Sequence, residues 1–269
     1  MLSRDYVIPS LAGRMGNHMF MVAHAYAKAL EYNKQFVIAR EHTVDGNNGD
    51  DYKDHIFRKV DTIDKFDDNH NWNCIPSDDK HTQYAGYYQS ENYFRKYSEA
   101  IRMLYAPPYE FVERIKKEIP QLFDTEVTLV SVRRGDYLYY PNYHPTLSEE
   151  YIYYAANLIR PTSHGHFSTI IASDDIPWCK QHLKLEDCMY LEGYKAHEQM
   201  WIMSMCHNFL ISNSSFSWWG AWLSRYPGKK VIAPSIWFGP EGPQDWQAIY
   251  ADGWMIFDSY FQNGLIYPK

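Results

Sequence analysis

Serines, arginines and an asparagine placed at the ends of short apolar runs are the residues of this chain best suited to chemistry. From Phe209 to Leu223 it reads F-L-I-S-N-S-S-F-S-W-W-G-A-W-L. An apolar run stops at Ser212 and Asn213, two hydroxyls and an aromatic follow, and a tryptophan-rich segment with helical potential completes the stretch. Strand, polar turn and helix in that order present backbone N–H groups and small hydroxyls to an anion at a helix N-terminus. Asn213, Ser214 and Ser215 would supply donors and Phe216 a flat face, with Trp218, Trp219 and Trp222 burying the helix behind them. The competing reading is a capped core helix, since Ser and Asn are also favoured N-caps.

Two further clusters share this design. The run V-T-L-V-S-V-R-R-G-D-Y from Val127 to Tyr137 reads as a buried strand ending in Arg133, Arg134, Gly135 and Asp136. An arginine at a strand's carboxyl end offers a fixed fork of donors for phosphate. Adjacent arginines alternate faces, so at most one points into a given crevice. The alternative is an exposed turn with an Arg–Asp surface pair of little energetic weight. At the N-terminus, Tyr6 to Leu11 is strand-like, Gly13-Arg14-Met15-Gly16-Asn17 is a turn, and His18 to Tyr32 fits an amphipathic helix. Met19, Phe20, Ala23, Tyr26, Ala27 and Leu30 are expected on its buried face. Neither G-x-G-x-x-G nor a Walker A sequence is present, so a plain dinucleotide or ATP site is unsupported.

Five motifs then fall in one order: G-R-M-G-N (Gly13 to Asn17), G-Y-Y-Q-S-E-N-Y-F (Gly86 to Phe94), S-V-R-R-G-D-Y-L (Ser131 to Leu138), A-S-D-D-I-P-W-C-K (Ala172 to Lys180) and I-S-N-S-S-F-S-W-W-G-A-W-L (Ile211 to Leu223). Together they resemble glycosyltransferase family 11, the α-1,2-fucosyltransferases that use GDP-fucose, from about Leu11 to about Phe238. The family usually carries His two residues before the first arginine, where this chain has Ser131. The resemblance implies an α/β, GT-B-like fold with two Rossmann-like domains and a ligand crevice between them. It implies inverting transfer of fucose from GDP-fucose to the 2-hydroxyl of a β-galactoside in an oligosaccharide. Arg133 and Arg14 would stabilise the β-phosphate, and Gly13, Asn17, Arg134, Asn213, Ser214, Ser215 and Phe216 would hold the donor. Asp174 would bind guanine or ribose. Asp136 is the carboxylate nearest the arginine pair; it either accepts the acceptor's proton or orients an arginine, with His144, Glu149, Glu150 and water as other acceptors. A transferase for another GDP-deoxysugar, or a catalytically silent sugar- or nucleotide-binding protein of the same fold, would also satisfy these motifs.

Behind the motifs lie the elements that must position them. Strand Val127 to Arg133, helix Ser148 to Ile159, strand Phe167 to Ala172 and strands Phe209 to Ile211 and Lys230 to Ala233 alternate with helical stretches, which implies a parallel sheet with right-handed crossovers. Helix Tyr109 to Ile119 closes at Pro120, and the domain boundary is expected near there: residues 1–122 as an acceptor-side domain and 123–269 as the GDP-sugar-binding domain. The polar stretch Glu41 to Asp79 reads as a loop-rich excursion of the first domain.

Composition sets the outer limits. The chain has 269 residues, 45% hydrophobic and 17% aromatic, with 24 Tyr and 9 Trp, enough for two small cores. A net charge of −7 argues against nucleic acid as a partner. No apolar run approaches the ~18 residues of a membrane span, and no signal peptide is evident. Cys74, Cys179, Cys188 and Cys206 lack C-x-x-C spacing, which points to a reducing cytoplasm. Peripheral contact with lipid-linked glycans at the inner membrane face follows from that setting. No Asp-x-Asp pair occurs, Asp174-Asp175 being adjacent, and His164-Gly165-His166 lacks zinc spacing. The site is therefore expected to work without metal or cofactor, the donor itself being a substrate.

Overall fold

The structure, a computed structural model, describes residues 6–39, 52–63, 82–84, 86–160, 168–260 and 265–266. Cys74, the pair His164 and His166, and residues 41–51 and 64–79 of the polar excursion lie outside the described residues. The chain divides into two compact units, Met1–Ala106 and Pro107–Lys269.

The first unit contains β1 (Tyr6–Pro9), α1 (Met15–Tyr32), β2 (Gln35–Ala39), α2 (Tyr52–Ile56), β3 (Asp61–Ile63), β4 (Thr82–Tyr84) and α3 (Ser98–Tyr105). Its four strands form a parallel sheet in the order β3-β2-β1-β4. The excursion thus contributes a helix and a strand. Helix α1 ends at Asn33, whose left-handed φ of 52° lets its N–H reach the carbonyl of Ala29. The single buried face expected for α1 is too narrow. Met19, Phe20, Ala23 and Ala27 are buried as expected, but so are Met21, Val22, His24 and Ala25 on other faces, whereas Leu30 is 40% exposed.

The second unit contains α4 (Tyr109–Glu118), α5 (Gln121–Asp124), β5 (Thr128–Val132), α6 (Glu149–Ile159), β6 (Thr169–Ser173), α7 (Ile176–His182), β7 (Cys188–Tyr190), α8 (Ala196–Ser204), β8 (Asn208–Leu210), α9 (Ser215–Leu223), β9 (Val231–Pro234), β10 (Met255–Phe257) and β11 (Leu265–Ile266). Seven strands lie in the order β11-β10-β9-β8-β5-β6-β7, parallel except where β11 meets β10. Sheet residues alternate faces. Val130, Val132, Ile171, Leu210 and Ile232 pack with Tyr151, Ile152 and Ala155 of α6, and their alternates Leu129, Ile170, Phe209 and Val231 are buried as well. Burial on both faces is what a parallel sheet requires. The division between units falls ahead of α4, earlier than the 122/123 boundary read from sequence. Phe111 of α4 meets Trp201 of α8 edge-on with ring centroids 5.0 Å apart, and Arg114 pairs with Glu198.

Candidate active site at the carboxyl edge of the second sheet

The strand order places the site. From β5 the chain runs outward through β6 and β7, then returns to lay β8 on the other side of β5. That reversal is a topological switch point, and ligands of open α/β sheets bind outside the carboxyl ends of the strands there. The arginine motif leaves the carboxyl end of β5. The serine motif leaves that of β8, its immediate neighbour, and the double-aspartate motif that of β6.

The two arginines part company as strand alternation requires. Arg133 lies over the Tyr137 ring, its guanidinium carbon 5.2 Å from the centroid. Its Nη2 donates to Asp136 Oδ1 at 2.5 Å and its Nη1 lies 3.1 Å from Asp174 Oδ2. Arg134 turns instead to α7, stacking 3.8 Å from the Trp178 ring and pairing with Asp175 at 3.2 Å. Asp175 also accepts the Trp178 N–H as the cap of α7, so Arg134 is held against a fixed helix start. Asp174 further accepts the Arg134 backbone N–H at 2.9 Å. Expected beside guanine or ribose, Asp174 here faces Arg133. Gly135 explains why the carboxylate can come so close, since a Cβ there would collide with Asp174 Oδ2. The glycine of the R-G-D triplet serves this approach.

The serine turn separates into bracing and open residues. Asn213 is 2% exposed, and its amide donates both hydrogens, to the carbonyls of Pro145 (2.9 Å) and Trp237 (3.0 Å). Its backbone carbonyl accepts from Tyr137 Oη at 2.9 Å. Asn213 therefore locks three segments together, and its amide hydrogens are not open to a ligand. Ser214 stands at the N-cap of α9 without a side-chain capping bond. Among the described residues the hydroxyls of Ser214 and Ser215 have no hydrogen-bond partner, and Ser215 and Phe216 are partly exposed. Capping thus does not account for these serines. Behind them Ser131 Oγ, Ser217 Oγ and Ser212 Oγ form a buried row with spacings of 2.5 and 2.9 Å. This row ties β5 to α9. Trp218 and Trp219 are fully buried and Trp222 nearly so, with Trp218 Nε1 donating to the Ile249 carbonyl at 2.6 Å.

Between the two motifs runs the segment 136–145. His144 stacks on Tyr137 at 4.3 Å and 10°, with Tyr143 and Phe238 against its other edges at 4.6 and 5.6 Å. Burial draws the His144 imidazole below its ordinary value, Asp136 raising it and Arg133 lowering it by smaller amounts. Tyr137 is buried, with Arg133 and His144 against its ring. Tyr139 and Tyr140 are 80% and 64% exposed, and Tyr143 also reaches solvent.

In the first unit, Arg14 is exposed at the N-cap of α1. Gly13 has φ +78°, and a Cβ there would strike the amide of Asn17. Asn17 Oδ1 accepts from Gln89 Nε2 at 2.8 Å, joining the first and second motifs. Gln89 follows Tyr88, a non-glycine residue at φ 47°, a conformation that persists only where surrounding contacts enforce it. Sequence reading quoted the motif holding Gln89 but gave that residue no role. Trp178, Trp237 and Ser217 were likewise passed over, although Asp175 with Trp178 three residues on is an N-cap spacing legible in sequence.

Residues 10–258 match the family model described as Glycosyl transferase family 11. The chain belongs to this family. It is a glycosyltransferase, as the order of its motifs implied. It is 27% identical over 276 residues to an Escherichia coli alpha-1,2-colitosyltransferase, covering 87% of this chain and 93% of that protein. It is 33% identical over 122 residues to the Escherichia coli O-antigen biosynthesis glycosyltransferase WbnK, 43% of this chain and 40% of that one. Among solved structures it resembles the fucosyltransferase NodZ from Bradyrhizobium, with a TM-score of 0.54 at 13% identity over 80% of this chain and 91% of that one. A family 9 glycosyl transferase from Veillonella parvula gives 0.52 at 10% identity over 96% and 88%. These likenesses carry the fold, which is α/β and GT-B-like. Among the described residues no helix is long and apolar enough to cross a membrane, and no group of three or more His, Cys, Asp or Glu could hold a metal ion.

Proposed function

We propose that this glycosyltransferase moves fucose from GDP-fucose, with inversion, to the 2-hydroxyl of a β-galactoside on an oligosaccharide. One observation carries the reading: a fork of guanidinium donors at the end of β5 lies on the strand next to the one that feeds α9, whose two opening serine hydroxyls are uncommitted among the described residues. Breaking the sugar–phosphate bond leaves GDP with added negative charge on its β-phosphate. A fixed cation and preorganised N–H groups lower the barrier when they meet that charge as it develops. Arg133 is assigned to the β-phosphate, with Asp136 holding the guanidinium from one side and Asp174 from the other. Ser214, Ser215 and the N–H groups opening α9 are assigned to phosphate oxygens, and Phe216 to one face of the nucleotide. Arg134 and Asn213 support the site rather than touch the donor. Gly13, Arg14 and Asn17 keep the donor-binding role that the family resemblance implies, with Arg14 at the N-cap of α1. No metal or cofactor takes part in this scheme.

The acceptor is proposed to be a β-galactosyl glycan, met by the exposed rings of Tyr139, Tyr140 and Tyr143, whose flat faces and hydroxyls suit a sugar. Lipid-linked glycans at the cytoplasmic face of a bacterial membrane would supply it. A second donor is favoured by a specific observation, the colitosyltransferase likeness across 93% of that relative. Phosphate and guanine contacts do not read the sugar, so GDP-colitose fits the same site. GDP release with each donor, lactose or galactose β-1,3-linked to N-acetylhexosamine as acceptor, and NMR of the product test the reading. Fucose on galactose O2 is expected. Transfer from GDP-colitose alone would replace the donor, and transfer to another hydroxyl, or to no galactoside, would overturn the acceptor.

A further inference from the structure

We infer that His144 is the residue that accepts the proton of the acceptor hydroxyl. The assignment rests on the transferase reading above and adds to it the missing base. The geometry supplies three arguments. First, His144 shares a ring with the proposed phosphate cation: Tyr137 has Arg133 5.2 Å from its centroid and the imidazole stacked at 4.3 Å. Second, the ring is fixed on several sides, by Tyr137, by Tyr143 edge-on at 66° and by Phe238. Gly239 N–H donates to the Tyr143 carbonyl at 3.0 Å and holds the two loops together. Third, Nδ1 is buried without a hydrogen-bond partner among the described residues while the residue remains partly exposed. That leaves Nε2 as the nitrogen able to meet a ligand.

Two of the candidate carboxylates, Asp136 and Glu149, are committed to other partners. Asp136 is tied to Arg133 at 2.5 Å. Glu149 pairs with His182 Nδ1 at 2.7 Å. Glu150 is exposed in the first turn of α6. In the step itself, the donor's C1–O bond breaks and its electron pair stays on GDP. The acceptor oxygen forms the new C1–O bond and its proton passes to Nε2. The imidazolium then returns that proton to water.

The groups facing His144 set the sign of its pH behaviour. Asp136, Arg133, Tyr137 and Tyr143 come from its own side, and Phe238 from the facing loop, where Glu241 is held by Asn142 at 3.1 Å. A sealed Nδ1 and an apolar box disfavour the cation, so the ring is neutral and able to accept a proton at neutral pH. Activity therefore falls as pH drops through a value below the ordinary 6.5.

The test compares wild type with His144→Gln and His144→Ala in GDP titration, melting and the pH profile of kcat/KM. Loss of kcat by about a hundredfold, with GDP affinity unchanged, disappearance of the acid limb and partial rescue of His144→Ala by added imidazole, is the expected result. Wild-type turnover with an intact acid limb in His144→Gln would overturn the assignment alone. So would a fall in GDP affinity matching the fall in activity, which would make the residue a donor contact. A wild type that binds no GDP would overturn the transferase reading and this assignment with it.

Discussion

Replacing Arg133 by alanine removes a cation and also uncovers two carboxylates. In the intact protein the guanidinium bridges Asp136 at 2.5 Å and Asp174 at 3.1 Å with only 21% of its side chain exposed. One unit charge acting on a phosphate oxygen at 4 Å is worth ~4 kcal/mol at an effective dielectric near 20, or roughly a thousandfold in rate. The alanine variant should therefore lose about a thousandfold in kcat/KM by that term. Asp136 and Asp174, no longer neutralised, would repel the β-phosphate and deepen the loss. That second part is separable. Adding Asp174→Asn to Arg133→Ala should recover about tenfold, a coupling within the range for residues in direct contact. Arg133→Lys should remain about a hundredfold down, because one ammonium cannot span both carboxylates and still present donors to phosphate. The assay is GDP release at subsaturating donor, with circular dichroism and melting to confirm the fold. A folded Arg133→Ala enzyme within tenfold of wild type would refute the reasoning.

Three further outcomes follow from particular contacts. Gly135→Ala would drive a methyl group into Asp174 Oδ2, displacing the carboxylate that holds Arg133, so kcat/KM should fall at least tenfold with little change in melting; unchanged activity would detach Gly135 from the site. Burial, the largest influence, pushes His24 from 6.5 to about 4. The unfolded chain then binds a proton between those values that the folded one refuses, so stability is complete above pH 6.5 and declines as pH falls toward 4. His24→Phe, which can keep the 3.9 Å stack on Tyr88, should flatten that decline in denaturant titrations, and parallel pH slopes would contradict the assignment. Finally, turnover should persist in excess EDTA; activity lost to chelator and restored by Mn²⁺ or Mg²⁺ would direct attention to Asp174 and Asp175.

The second unit was the more legible in sequence. Its strands β5, β6, β8 and β9 lie in apolar runs ending in polar turns, and the helices α4, α6 and α9 announce themselves by period or by Pro and Ser boundaries. The strands β7 and β10 and the first-unit strands β3 and β4 are three residues each, too short for alternation to register. The extent of burial around α1 depends on what packs against it, which no local pattern encodes. At the site, the arginines, the serines and Asp174 were legible as residue types at strand ends. Their pairings were not, because Arg133 with Asp174 and Asn213 with Pro145 and Trp237 are decided by sheet order. Asn213 shows the consequence: the residue type suits a phosphate donor, yet both amide hydrogens hold neighbouring carbonyls. Ser131 is a second case, since its hydrogen-bonded row with Ser217 and Ser212 joins residues far apart in sequence.

Calorimetric titration of GDP into the wild-type protein and into Ser215→Ala, without added metal, tests most directly whether the donor site lies at the carboxyl ends of β5 and β8. Binding of one GDP by wild type, weakened about tenfold in Ser215→Ala by loss of a hydrogen bond to a charged group at an unchanged melting temperature, is the predicted result. Equal GDP affinity in both proteins, or no GDP binding by wild type, would contradict it.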